Sequence, residues 1–150
     1  MSSIANITVF DGQATPVSHT FLAESVSRQG SSVIATYKEA TAGVPDEAQG
    51  RITLKRTTLQ SGVTRSSVRV DLPVMESVSG VNAAGYTAAP KVAYVDSVEV
   101  INYGHKRSII AGRRSARVLA TNLLQSVGTS VAAVTTGPVP ELFDQLLTPT

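Results

Sequence analysis

The chain contains no cysteine, which removes disulfides, thiolate metal sites and cysteine nucleophiles together. Tryptophan is also absent and aromatics make up only 5% of residues, so a core must be assembled from Val, Ile, Leu and Ala. Small branched residues suit a pleated sheet better than a helical bundle. There is no Walker loop, HExxH or G-x-S-x-G, and the two histidines, His19 and His105, lie far apart and near no acid-rich motif. His19, with no second ligand at hand, reads as a structural or surface residue. Of the eleven carboxylates only Asp46 and Glu47 are adjacent. The expectation is a protein that is not an enzyme, with no cofactor, no metal and no small-molecule substrate. No apolar run approaches the ~20 residues needed to cross a bilayer. Met-Ser-Ser-Ile-Ala-Asn offers neither a basic nor an apolar signal region. A soluble chain made in a cytoplasm, with no membrane partner, is therefore expected. An excess of one charge is missing too: the formal net charge is +2, so any polyanion must be met by a local patch.

What the chain does have is alternation. Along Arg51-Ile52-Thr53-Leu54-Lys55 the polar residues fall on odd positions and the apolar ones on even positions. After a turn at Gln60-Ser61-Gly62, Arg65, Ser67, Arg69 and Asp71 are again odd, against Val68, Val70, Leu72 and Val74. A period of two buries one face of a strand and leaves the other open, and two such strands around a short Gly-containing turn make an antiparallel pair. The open face would carry Arg51, Thr53, Lys55, Arg65, Ser67 and Arg69, a donor-rich surface suited to a polyanion. The same pattern fits a plain solvated face, since exposed sheet surfaces use Lys, Arg and Thr to resist aggregation.

Ile4 to Phe10 is apolar and β-branched and stops at Asp11-Gly12, a hairpin turn signal. A return strand is expected over about Thr15 to Leu22, with Pro16 marking an edge. Polar Ser25 to Ser32 reads as a loop, Val33 to Lys38 as a strand, and Ala40 to Gln49 as a loop with a small acidic patch. Pro73 should bend its strand or mark an edge. Glu76 to Pro90, rich in small residues, reads as one long loop of a kind that is usually functional. Lys91 to Tyr103 reads as a long strand whose uneven alternation a bulge near Ser97 would reconcile.

After Gly104 the period changes. Ile109, Ala116, Leu119, Ala120, Leu123 and Val127 form the stripe of an amphipathic helix over 106–127, with Lys106, Arg107, Arg113, Arg114 and Arg117 in its first half. A short second helix over 139–147, with Pro140 near its start, must dock on a sheet, its own or a partner's, because fewer than three turns do not hold alone. The fold class that follows is α+β within one domain spanning 1–150. It comprises an N-terminal β-hairpin (1–22), an antiparallel sheet (33–103) interrupted by the loop 76–90, and two C-terminal α-helices.

This element order, with Val70-Asp71-Leu72-Pro73, the small-residue loop and the closing helix pair, resembles the coat (capsid) proteins of single-stranded RNA bacteriophages, the leviviruses and their relatives. The likeness covers essentially the whole chain. The runs from Ala14 to Phe21 and from Gly137 to Asp144 look like those of divergent members. The resemblance implies a five-stranded sheet with an N-terminal hairpin, and helices that cross onto a partner's sheet in an interlocked homodimer. Dimers would build the icosahedral shell of a virion, of T=3 type, with sheet faces inside and helices outside. It further implies packaging of single-stranded genomic RNA, and an RNA hairpin whose binding represses translation.

Aligned on Asp71-Leu72-Pro73, the RNA-facing positions fall on Arg51, Thr53, Lys55, Ser67 and Arg69, with Arg65 adjacent. Tyr94 would match a base-stacking aromatic and Asp96 its polar neighbour. Leu142, Phe143 and Leu146 would serve the dimer, while Gly80, Gly85 and Tyr86 would let the long loop adapt to different symmetry axes. Helices outside the shell would keep Lys106 to Arg117 from RNA, solvated or paired with acids such as Asp46 and Glu47 across subunit contacts. Two other classes fit parts of the sequence. One is a non-capsid β-rich nucleic-acid-binding domain using the same face. The other is a fimbrial or adhesin subunit, suggested by β-rich Ala/Thr/Val composition and opposed by the missing signal segment.

Overall fold

The computed structural model describes residues 4–76, 80, 85 and 91–150. It is a six-stranded antiparallel sheet with strands in sequential order: β1 (Ile7–Phe10), β2 (Ser18–Gln29), β3 (Ser32–Glu39), β4 (Arg51–Thr58), β5 (Thr64–Met75) and β6 (Val92–Gly104). Helix α1 (Ile110–Leu124) and a short C-terminal helical segment follow. Most of the expected loop 76–90, with Tyr86, lies outside the described residues. Gly80 and Gly85 are described and take φ of 115° and 81°, a region that favours glycine.

The N-terminal hairpin is continuous with the sheet. The stretch from Ser25, expected to be a loop, continues β2 to Gln29 and pairs with β3 after a bulge between Ala23 and Ser25. Its polar residues need no burial, because one face of the sheet is open and hydroxyls meet across strands there. Ser25 Oγ lies 2.8 Å from Thr36 Oγ1, and Ser32 Oγ 2.8 Å from Thr57 Oγ1. Gly30, at φ 58°, turns the chain directly into β3. Pro73 is tolerated within β5 because β4 pairs only as far as Asp71, so the strand has a local edge there.

The core occupies the other face. Phe21, Ala35, Tyr37, Ile52 and Leu54 are buried together with Leu142 and Phe143, which reach back from the C-terminus. That C-terminal piece is shorter and less regular than the expected helix over 139–147. A single turn, α2 (Pro138–Pro140), runs into a π-type turn at Glu141–Gln145, and Leu146 ends it in the left-handed region at φ 58°. It docks on its own sheet, so Leu142 and Phe143, expected to seek a partner, are satisfied within one chain. The sheet also satisfies its carbonyls. Ser66 Oγ donates to Leu142 O at 3.2 Å, Asn102 Nδ2 to Phe143 O at 3.3 Å and Arg56 Nη1 to Leu146 O at 2.7 Å. Gly104 leaves room for this docking: a Cβ there would stand 2.8 Å from Leu146 Cδ2, so that side chain would have to shift.

Helix α1 begins later than expected and ends sooner. Ser108 N and Oγ both donate to the His105 carbonyl, holding residues 105–108 in a turn, and Ser126 at φ 52° closes the other end. Lys106 and Arg107 thus lie before the helix. The arginines within it find their partner in the same chain, at Asp144. Arg117 Nε and Nη2 bind Asp144 at 2.8 and 2.9 Å, Arg114 Nε binds it at 3.2 Å, and Arg113 Nε donates to the Asp144 carbonyl at 2.7 Å. Asp144 is fully buried. Burial by itself pushes its carboxyl up, but the hydrogen bonds and charges of Arg117 and then Arg114 outweigh it and hold the pKa below the usual range. A C-terminal acid 27 residues from Arg117 is not visible to local sequence patterning.

His19 also gains partners from distant sequence. Its Nδ1 lies 2.7 Å from Glu39 Oε1 and its Nε2 lies 3.3 Å from Asp11 Oδ2. Asp11 in turn accepts from Val17 N at 2.8 Å, closing the β1–β2 connection. Hydrogen bonds to Glu39 and then to Asp11 raise the His19 pKa, and both neighbours are acceptors, so only the imidazolium donates to both at once.

Two outcomes follow for stability. Asp144→Ala strands two arginines against a buried turn, and urea denaturation should show a loss of roughly 3–5 kcal/mol, the cost of breaking a buried ion pair. The wild-type contribution is full above the unfolded carboxyl pKa and fades as pH falls through the depressed folded value. A variant as stable as wild type would show the pair to be dispensable. His19 works with the opposite sign. Its contribution is complete below about pH 6.5 and is lost as pH rises through the higher folded pKa. The stability gap between wild type and His19→Phe should therefore shrink from about pH 5.5 to about pH 9, and a gap that widens would contradict the bridge.

Candidate functional site

The open face is built by register. Four rows cross β3 to β6: Lys38, Arg51, Asp71, Ser97; Thr36, Thr53, Arg69, Glu99; Ile34, Lys55, Ser67, Ile101; and Ser32, Thr57, Arg65, Tyr103. Arg51, Thr53, Lys55, Arg65, Ser67 and Arg69 thus share one face, opposite the core residues Ile52 and Leu54. Ser67 is on that face but only 3% exposed, so it offers almost no surface.

Tyr94 and Asp96 do not join them. They pair with Val74 and Leu72, in phase with Val68 and Val70, and so belong to the opposite face. The bulge expected near Ser97 is absent; the irregularity lies between Val74 and Met75. The β6 residues on the cationic face are instead Val95, Ser97, Glu99, Ile101 and Tyr103. The phase of β6 is not legible locally because the strand carries apolar side chains on both faces, with Val95, Val98, Ile101 and Tyr103 all substantially exposed. Lys38 and Thr36 also belong to this face, and the signal for them was there: β3 alternates in the same sense, with Tyr37 and Ala35 buried.

Most of the cations on this face are held by carboxylates. Asp46, from a 3₁₀ turn at Asp46–Ala48, receives Lys38 Nζ at 2.5 Å and Arg51 Nη2 at 3.1 Å. Arg65 Nη2 lies 3.4 Å from Glu99 Oε1, and Arg69 Nε donates to both Asp71 oxygens at 2.8 and 3.0 Å. The Lys38 hydrogen bond is the main cause of a lowered Asp46 pKa. Asp71 is pushed up by burial but brought down overall by Ser97 and Arg69. Lys55 has no ionic partner among the described residues. Solvent-exposed pairs of this kind add little net stability, so a phosphate can compete for their cations. The face is a moderately positive, hydroxyl-lined surface with its guanidiniums already oriented.

The reverse face keeps open apolar space. A groove of about 490 Å³ runs between the hairpin and the sheet, lined by Val9, Phe21, Ile52, Val70 and Leu72. Another of about 500 Å³ separates α1 from the sheet, between Ala116, Ala120, Leu124 and Val68, Val100, Phe143. No residue of α1 is buried, and Leu119, Leu123 and Leu124 are 69, 81 and 73% exposed. Among the described residues, no group of three or more His, Asp or Glu could hold a metal, and no helix is long and apolar enough to cross a membrane.

Comparison with known proteins gives this architecture a context. No curated protein sequence matches the chain significantly. Among solved structures, the virus-like particle of bacteriophage EMS014 superposes with a TM-score of 0.71 at 27% identity, over 99% of each chain. The virus-like particle of bacteriophage ESE058 gives 0.71 at 19% identity, and that of bacteriophage NT-214 gives 0.68 at 21%, again over 99% of each chain. At these last identities the likeness is one of fold. The family model for the levivirus coat protein matches residues 2–139, which spans all six strands, α1 and the start of the C-terminal segment. The chain belongs to the levivirus coat protein family.

Proposed function

We propose that this chain is the structural subunit of a phage capsid, assembling as homodimers into an icosahedral, T=3-type shell around single-stranded genomic RNA. The observation that carries the reading is an uncovered apolar surface on a chain of this family. Among the described residues the outer edge of β6 has no neighbouring strand, and α1 leaves Leu119, Leu123 and Leu124 largely uncovered. A lone β edge and an unpacked amphipathic helix are both unfavourable for a free monomer, and a second copy covers both. The virus-like particles formed by the similar phage proteins support the shell.

The RNA-facing surface in this reading is the open sheet face, with Arg51, Thr53, Lys55, Arg65 and Arg69 as its contacts. Repression of translation follows if the same face grips one RNA hairpin. Phosphates would replace the weak carboxylate pairs of Lys38, Arg51 and Arg65, and single-stranded bases would lie over exposed side chains. The α1 arginines take no part, because they are committed to Asp144.

Expression followed by electron microscopy should give closed particles, and nuclease treatment should leave protected RNA inside them. Soluble dimers alone under all conditions would remove the shell. Lys55→Ala should weaken RNA binding by roughly 1.5–3 kcal/mol, the scale of a charged hydrogen bond. It should also lower the log–log salt slope by about 0.7 for each phosphate that the lysine no longer neutralises. Arg114→Ala should leave that slope unchanged while lowering stability. The reverse pattern would place RNA on the helix side.

A further inference from the structure

We infer that Asp71 is a positioning residue for RNA, holding Arg69 so that the far edge of its guanidinium forms a ready-made fork for a pair of acceptor atoms. The inference rests on the reading of the open face as the RNA surface. Asp71 and Arg69 are two apart on β5 and point the same way, and the Asp71 carboxylate is anchored from the neighbouring strand by the Ser97 hydroxyl directly opposite. Arg69 gives its Nε to both Asp71 oxygens, at 2.8 and 3.0 Å. Its Nη2 makes only a long contact, 3.4 Å, with Ser97 Oγ, and Nη1 has no partner among the described residues.

An arginine side chain left free spreads over many rotamers and gives up that freedom on binding. Here the lower edge is already fixed, the side chain of Asp71 is 22% exposed and that of Arg69 is 52% exposed. The two terminal nitrogens therefore face solvent in one plane. Two parallel N–H donors match two acceptors, either phosphate oxygens or the O6 and N7 of guanine. Both sources present the same paired-acceptor chemistry. Arg51 and Arg65 lack this arrangement: each meets its carboxylate through Nη2, the end that would otherwise face a ligand.

Charge counting alone predicts the opposite effect, because removing a carboxylate from a cationic face should tighten binding to any polyanion. The test uses that contradiction. Unassembled full-length protein is titrated with two single-stranded RNAs of about 12 nucleotides, all-adenylate and alternating guanylate–adenylate, across a salt series. Asp71→Asn should weaken binding by about tenfold, the scale of one charge-assisted hydrogen bond misplaced. Asp71→Glu should restore much of that affinity, and Ser97→Ala should give a smaller reduction of the same kind. An equal reduction on both RNAs identifies a phosphate as the paired acceptor, and one confined to the guanine-containing RNA identifies the base. Both outcomes support the fork. Unchanged or tighter binding by Asp71→Asn and Ser97→Ala, with Lys55→Ala and Arg69→Ala weakened, overturns the positioning role and leaves the RNA face standing. If Lys55→Ala and Arg69→Ala also bind as wild type, the reading of the face falls instead.

Discussion

A single sheet in which one face is buried and the other is charged depends on register above all else. Shifting β4 against β5 by one residue would turn Ile52 and Leu54 outward and drive Arg51, Thr53 and Lys55 into the core. The observed pairing of Thr53 with Arg69 and of Leu54 with Val68 satisfies both faces at once. The core and the candidate RNA surface are thus two consequences of one alignment. The turn through Gly62 at φ 76°, closed by Leu59 N to Val63 O at 2.9 Å, sets where that alignment begins.

The second structural commitment is made at Asp144. Three arginines of α1 converge on this residue, which sits in the same short turn that inserts Leu142 and Phe143 into the sheet. Polar contacts therefore hold the helix by its arginine side while Leu119, Leu123 and Leu124 stay largely uncovered. Such a helix is fixed in position without being covered. Together with the edge of β6, which has no neighbouring strand among the described residues, this leaves apolar surface uncovered on the chain.

Charge on the open face is moderated as well as presented. Lys38, Arg51, Lys55, Arg65 and Arg69 stand among Asp46, Asp71 and Glu99. A face of bare lysines would hold any polyanion, whereas Lys38, Arg51 and Arg65 would have to give up an exposed carboxylate pair to do so, at small net cost. The chain as a whole follows the same balance, with a net charge of only +2.

Local alternation was enough to establish most of the sheet strands, the turn at Gly62, the face shared by Arg51, Thr53, Lys55, Arg65, Ser67 and Arg69, and the change of period that announces α1. A strand's pleat or a helix's turn converts such a pattern directly into a face. Four features needed the folded chain. Ser25 to Gln29 is strand because β3 lies alongside to pair with it and meet its hydroxyls, and polar sequence alone cannot show a neighbour. Tyr94 and Asp96 fall on the core-side face because β6 takes its phase from pairing with β5, its own apolar residues being on both sides. The α1 arginines are structural because Asp144 returns to them from the far end of the chain. His19 became a bridge because Asp11 and Glu39, eight and twenty residues away, meet only when the hairpin and β3 are paired. In each case the missing information was the identity of a partner distant in sequence, which periodicity does not carry.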